Sequence, residues 1–407
     1  MQDMLSSVQR ASATFILFVA CVAHGAAPPT LPPQSVFIDP LSFAVLGQNA
    51  TFRDSAFDSG FNPSSTPTPF FQIFDEGFLD ILGQEPSFHE IASNPDFGFA
   101  NEAPVYVPDT DEIFFSGSAF PGNTNVSNQV NRVSLPEVED ALRASNGSIV
   151  VNVTVTPIDL PSTVLSTNGG TGPFRGSLLF VGDGLGARPP AVTLVNPRPP
   201  HNATVLLDNF FGRQFNSLND VKIHPTSNNI FFSDVPYGFA LNIRPPPLMP
   251  NQVYRFNPET RVVQAVLDGL VRPNGIAFTP DGHTVYVSDS GSLQDLSGTT
   301  AFQTQPATIY AFDVDPVTER FINRRVLAYI DAGIPDGLQL DTNGNIYAAT
   351  GDGVQVFSPA GTLLGKFFVG TRTANMAFAG FGRLILLSET RLFLARINAG
   401  NVNLEGR

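Results

Sequence analysis

A chain of 407 residues with a net charge of −14 and no basic cluster is poorly suited to nucleic acid or to an anionic membrane surface. Only 14% of its residues are charged, and 35 glycines and 35 prolines mark a turn-rich, helix-poor chain. Its 36 phenylalanines supply core material and exclude disorder.

In chain order, residues 1–25 read as a signal peptide. Arg10 lies in a polar start, an apolar run follows at 14–23, and Ala23-His24-Gly25 offers small residues for cleavage. The run is too short to span a bilayer, and no later run approaches that length. Cleavage removes Cys21, the only cysteine, so the mature chain has no disulfide. Residues 26–67, which open with Pro28, Pro29, Pro32 and Pro33, are expected to form an N-terminal extension, and 68–407 a single domain. Asn-x-Ser/Thr sequons at Asn49, Asn125, Asn146, Asn152 and Asn202 fit a secreted, N-glycosylated protein with these side chains at the surface.

The domain repeats itself. One unit carries short alternating runs at 252–260, 262–270 and 273–278, closed by a turn at Pro280-Asp281-Gly282 and a strand at 284–288. The same grammar recurs from 193, from 308 and from 353, and more loosely from 70 and from 130. In the loosest unit, residues 135–144 read as a helical insertion, and 150–157 as the next strand. Six such units predict an all-β fold: a six-bladed β-propeller with four-stranded antiparallel blades around a central metal-binding channel. Outer strands near Phe70 come first and inner strands come last, so N-terminal strands are expected to complete the final blade.

The first strand of each blade lines the channel, and its opening residue faces one mouth. Those residues are Glu102, Asn168, Asn219, Asn274, Asp336 and Asn375. All six end in oxygen acceptors, and two are carboxylates. Hard cations such as Ca2+ take about 6–8 oxygen ligands of this kind, and two carboxylates balance a divalent charge. For any one position a plain Asn-Gly or Asp-Gly turn is the simpler account. The shared frame across repeats favours a metal ring.

Asn101-Glu102-Ala103-Pro104, the run from Phe215 to Asp220, Arg272-Pro273-Asn274-Gly275 and Ile334-Pro335-Asp336-Gly337 together resemble the regucalcin/gluconolactonase family. The stretches 212–220 and 251–255 are similar to its secreted fungal lactonohydrolases, which act on aldonolactones and pantoyl lactone. The resemblance implies metal binding by Glu102, Asn274 and Asp336, with Asn219 a further ligand or a substrate contact. It also makes Asp336 the acid/base candidate. Ser217 stands at a substrate-contact position where many members carry an arginine, so sugar-acid specificity does not carry over.

The expected reaction is metal-assisted hydrolysis of a small lactone, with Asn168, Asn219 and Asn375 holding its hydroxyls. Oxygen-only ligands favour Ca2+, and Zn2+, Mg2+ and Mn2+ stay open. Two other readings compete: an arylesterase or organophosphate hydrolase on the same scaffold, and a calcium-binding propeller without catalysis. No Gly-x-Ser-x-Gly elbow, P-loop or dinucleotide fingerprint occurs, and no histidine opens an inner strand. The loops 236–250 and 291–306 are long for a propeller and are expected to cover the channel mouth.

Overall fold

Hydrophobic strands with polar turns between them collapse into six mainly antiparallel sheets set radially. The computed structural model describes residues 31–49, 51–57, 60–117, 129–293 and 302–401. The expected signal segment, Cys21 and Asn125 lie outside them. The innermost strands are Glu102–Val107, Thr167–Phe174, Leu218–Ile223, Pro273–Phe278, Leu338–Leu340 and Asn375–Phe378. They number blades one to six. Each packs on the next, and the sixth packs on the first, which closes the ring.

The core is divided among the six interfaces between neighbouring blades. Second strands are therefore buried on both faces. Ile230–Asp234 and Ile346–Thr350 have no exposed residue. The outermost Phe321–Tyr329 is mostly open to solvent. The helix is found at Leu135–Ala144, where Ser134 caps its start and Leu135, Val138 and Leu142 face inward.

Three details differ from the sequence expectation. A single N-terminal strand, Ser87–Ser93, completes blade six by pairing with Arg391–Arg396. Three strands of that blade come from the C-terminal part of the chain, so only one place is open. The strand Phe70–Ile73 instead extends blade five beyond Leu363–Phe368, and Ser35–Phe37 adds a parallel strand outside it. Blade five thus has six strands, and residues 35–37 of the expected extension are built into it. Finally, 150–157 is not one strand. Val151 and Val153 donate to the backbone of Glu90 and Ile91 in blade six, and only Thr156–Pro157 joins blade one.

Blade five also buries an ion pair. Lys366 Nζ lies 2.9 Å from Asp352 Oδ2 and 2.8 Å from Asp331 Oδ1, and the Lys366 and Asp352 side chains are each 1% exposed. Breaking such a pair leaves a buried charge uncompensated, at about 3–5 kcal/mol. Lys366→Met is expected to lower the unfolding free energy by that amount in a denaturant titration. Adding Asp352→Asn should recover part of it.

Candidate active site

The inner strands do not start as regular ladders. In blades one, three and four an extra residue sits between the first and second pairs, as at Leu218/Val221, Pro273/Ile276 and Glu102/Val105. Blade two shifts at Thr167/Gly169. Bulges of this type re-aim side chains. Here they turn Glu102, Asn168, Asn219 and Asn274 into a cavity of about 260 Å³ at one mouth of the channel, which Asp336 also lines.

Serines fix the bulges. Ser233 Oγ accepts from Asp220 N at 3.0 Å and donates to Asn274 O of the next blade at 2.9 Å. Ser288 Oγ accepts from Gly275 N at 2.7 Å and donates to Asp336 O at 2.8 Å. Ser116 Oγ donates to Thr167 O at 2.8 Å. Each serine is fully buried, so its hydrogen bonds run in a dry setting where a missing partner is costly. Gly275 admits the close approach of blades four and five: a Cβ there would meet Asp336 O at 2.4 Å.

Glu102, Asp183, Asp336 and Glu389 line the cavity with one cation, Arg372. Arg372 donates to Asp336 Oδ2 at 2.9 Å and to Glu389 Oε1 at 3.4 Å. Burial pushes the Glu102 carboxyl well above the usual carboxylate range, and the charge of Asp336 adds to it. Asn375 Nδ2 donates to Glu102 Oε2 at 2.9 Å, which favours the ionised form. Asn274 Nδ2 donates to Ser290 Oγ at 3.1 Å, which leaves its amide oxygen free of that contact. Tyr237 forms part of the wall, and its hydroxyl is buried near Ser290 and Asn274 without a well-formed hydrogen bond. Burial, with the field of Asp336, pushes that hydroxyl up to about 12. Asp220 Oδ2 accepts from Ile276 N at 2.8 Å, while Oδ1 is buried without a partner.

This donor set suits a hard cation. Carboxylate and amide oxygens converge, their net charge is negative, and buried polar atoms beside them lack partners. Among the described residues no three His, Cys, Asp or Glu side chains cluster to hold a metal, so any ion here depends on the asparagines. A larger cavity, about 430 Å³, opens at the other mouth, but Lys222 is its only charged lining residue. Size does not choose the site; the ring oxygens do.

Residues 191–389 match the family model described as SMP-30/Gluconolactonase/LRE-like region. Lactonohydrolase oryL of Aspergillus oryzae is 30% identical over 365 residues, which cover 83% of this chain and 78% of that protein. The chain belongs to this SMP-30/gluconolactonase family. Its fold agrees with a gluconolactonase from Xanthomonas campestris at a TM-score of 0.59 and 22% identity, over 80% of this chain and 93% of that one. It also agrees with regucalcin of Agrobacterium tumefaciens, a calcium-binding protein, at 0.55 and 16%, over 78% and 96%.

Within this SMP-30/gluconolactonase chain two expected substrate contacts lie off the cavity wall. Ser217 is fully buried, and its hydroxyl donates to Asn216 O and accepts from Gly238 N, both at 2.8 Å. Asn375 stands behind Glu102, and its Oδ1 takes Met376 N at 2.9 Å. Both amide ends are used. The loop 236–250 contributes Tyr237 and Leu241 to the wall, and Leu293 comes from the second loop, whose residues 294–301 lie outside the described set. Phe57, from the segment before blade one, packs with Tyr237, Leu293 and Ile334 over this mouth. Sequence reading missed Asp183, Tyr237, Arg372 and Glu389. A basic residue just before a ring position, as at Arg272 and Arg372, was the available signal for one of them.

Proposed function

We propose that the chain is a secreted, metal-dependent lactone hydrolase acting on small aldonolactone- or pantoyl-lactone-like esters. One observation carries the reading. Glu102, Asn168, Asn219, Asn274 and Asp336, from five different blades, share one small cavity in a chain related to lactonohydrolases. Glu102, Asn219, Asn274 and Asp336 would hold the cation, and the oxygen donors together with the calcium-binding neighbour support Ca2+. When bound, it would supply Lewis-acid polarisation of the lactone carbonyl and charge stabilisation of the developing oxyanion.

The rest falls to the chain's own groups. Asp336 takes the proton of the attacking water, and Arg372 orients its carboxylate through Oδ2. Asn168 meets the hydroxyls of the substrate. Leu241, Leu293 and Ile334 exclude bulk water from the opposite wall. The sequence features at 1–25 support export. The described sequon asparagines 49, 146, 152 and 202 are exposed, which suits glycosylation.

Proton release from D-pantoyl lactone and glucono-lactone tests the reading. Turnover is expected, with loss in chelator and recovery on adding Ca2+. A fully metal-loaded protein that opens neither lactone is instead a cation-binding propeller without catalysis.

A further inference from the structure

Of the four acids that line the cavity, Asp183 has no part in the proposed hydrolysis. Asp183 is 5% exposed and forms part of the cavity wall. Its surroundings differ from those of the matching acids in the next two blades. Blade three ends its second strand with Ser233-Asp234, and blade four with Ser288-Asp289. Both aspartates turn away from the cavity to hold a loop. Asp234 Oδ1 accepts from Asn216 N and Ser217 N at 2.8 Å each. Asp289 accepts from Arg272 N at 2.8 Å and Val271 N at 3.0 Å.

In register, Asp234 faces Leu218 and Asp289 faces Pro273. The residue at that place in blade two, opposite Thr167, is Gly182. A Cβ on Gly182 would meet Leu165 O at 2.2 Å, so the loop has closed into the space the aspartates use elsewhere. The acid comes one residue later. Successive side chains on a strand point to opposite faces, so one step carries the carboxyl from the loop side to the cavity side.

There it is sparsely held. Asn168 Nδ2 donates to Oδ1 at 3.4 Å and is its only hydrogen-bond partner among the described residues. The charged groups that act on it are Arg244, which favours the carboxylate, and Asp234, which opposes it. Arg244 gives its own hydrogen bonds to the backbone oxygens of Gly186 and Arg188 and to Gln214, not to Asp183. Burial dominates and raises the carboxyl to about 7. A carboxyl that faces a reaction cavity and carries a proton near neutral pH is a ready proton donor.

We infer that Asp183 is a second proton-transfer group of the site, giving its proton to the ring oxygen of the lactone as the ring opens. The inference rests on the lactone reading above. The oxygen of water forms the new bond to the carbonyl carbon, and Asp336 collects the proton it sheds. The bond from that carbon to the ring oxygen breaks, the electron pair stays on oxygen, and Asp183 supplies the proton. The product is the open hydroxy acid. The proton held by Asp336 returns through solvent and restores Asp183.

The test compares leaving groups in the purified, metal-loaded chain. An aliphatic lactone expels a strongly basic alkoxide and needs an acid; dihydrocoumarin expels a phenolate and needs little help. Asp183→Asn preserves shape but donates no acidic proton. It is expected to slow kcat on the aliphatic lactone by about 10²-fold or more, the usual scale of general acid catalysis, and on dihydrocoumarin by less than about threefold. Asp183→Glu, which keeps an acid, should retain most of the aliphatic activity. Equal losses on both substrates, or none on either, overturn the assignment while the lactonase stands. A wild type that opens neither lactone removes the lactone reading and this inference with it.

Discussion

Asp336→Ala is expected to lower kcat/KM on the best lactone by about 10³-fold or more. Two losses combine. The water loses its proton acceptor, a role worth about 10²–10⁴-fold. The cation loses one of two carboxylates, and removing a charged partner from a buried cluster costs about 3–5 kcal/mol. The fold should survive. The backbone at 336 is fixed independently of its side chain, by Ser288 Oγ on its carbonyl and by Ala349 O on its amide at 2.9 Å. Arg372 keeps Glu389 as a partner. Circular dichroism and the melting temperature should change little. Asp336→Asn separates the two losses, because the amide still offers an oxygen but is no base. It should bind the cation more weakly than wild type yet better than Asp336→Ala, and turn over no faster than Asp336→Ala. Full lactonase activity in Asp336→Ala would sink the role given to this residue.

The ring was legible because repetition made it so. A polar residue at the same point of every repeat is visible without coordinates, and five of those six residues line one cavity. The serines were legible in principle. Ser233-Asp234 and Ser288-Asp289 repeat in frame, but a serine in a buried strand reads as filler until its two partners are known. Asp183 was not legible, since its direction depends on a single residue of register against Gly182. Arg372 was hidden because its reach depends on the loop that precedes blade six. An N-terminal strand does close the ring, but which one was not legible, for a simpler reason. The apolar run Phe70–Ile73 suits any open strand edge, and periodicity does not say which edge is vacant. The vacancy in blade six is filled by Ser87–Ser93, and the Phe71 ring stacks on Phe88 at 5.4 Å and meets Phe367 at 5.6 Å, tying blades five and six together.

Glu102→Gln should move two measurements in opposite directions. Glu102 is 8% exposed and faces the charge of Asp336 across the cavity. Its folded-state pKa lies above the ordinary value, chiefly through burial. A raised carboxylate pKa means that the folded state holds a proton which the unfolded state gives up. Stability in the metal-free protein is then full below the ordinary glutamate value and declines as pH rises toward the folded one. Glutamine carries no such charge. The metal-free variant should therefore melt no lower than wild type at neutral pH, and higher if the charge is the dominant burden. Metal affinity should fall, because one of two negative charges is gone. At about 3–5 kcal/mol for an uncompensated buried charge, that is roughly a 10²- to 10⁴-fold rise in Kd by calorimetry. Cation binding to wild type should also release a proton, more at low pH than at high pH, and the variant should release less. A Kd unchanged by the substitution would mean that Glu102 does not hold the ion. A drop in metal-free stability would mean that its carboxylate serves the fold instead.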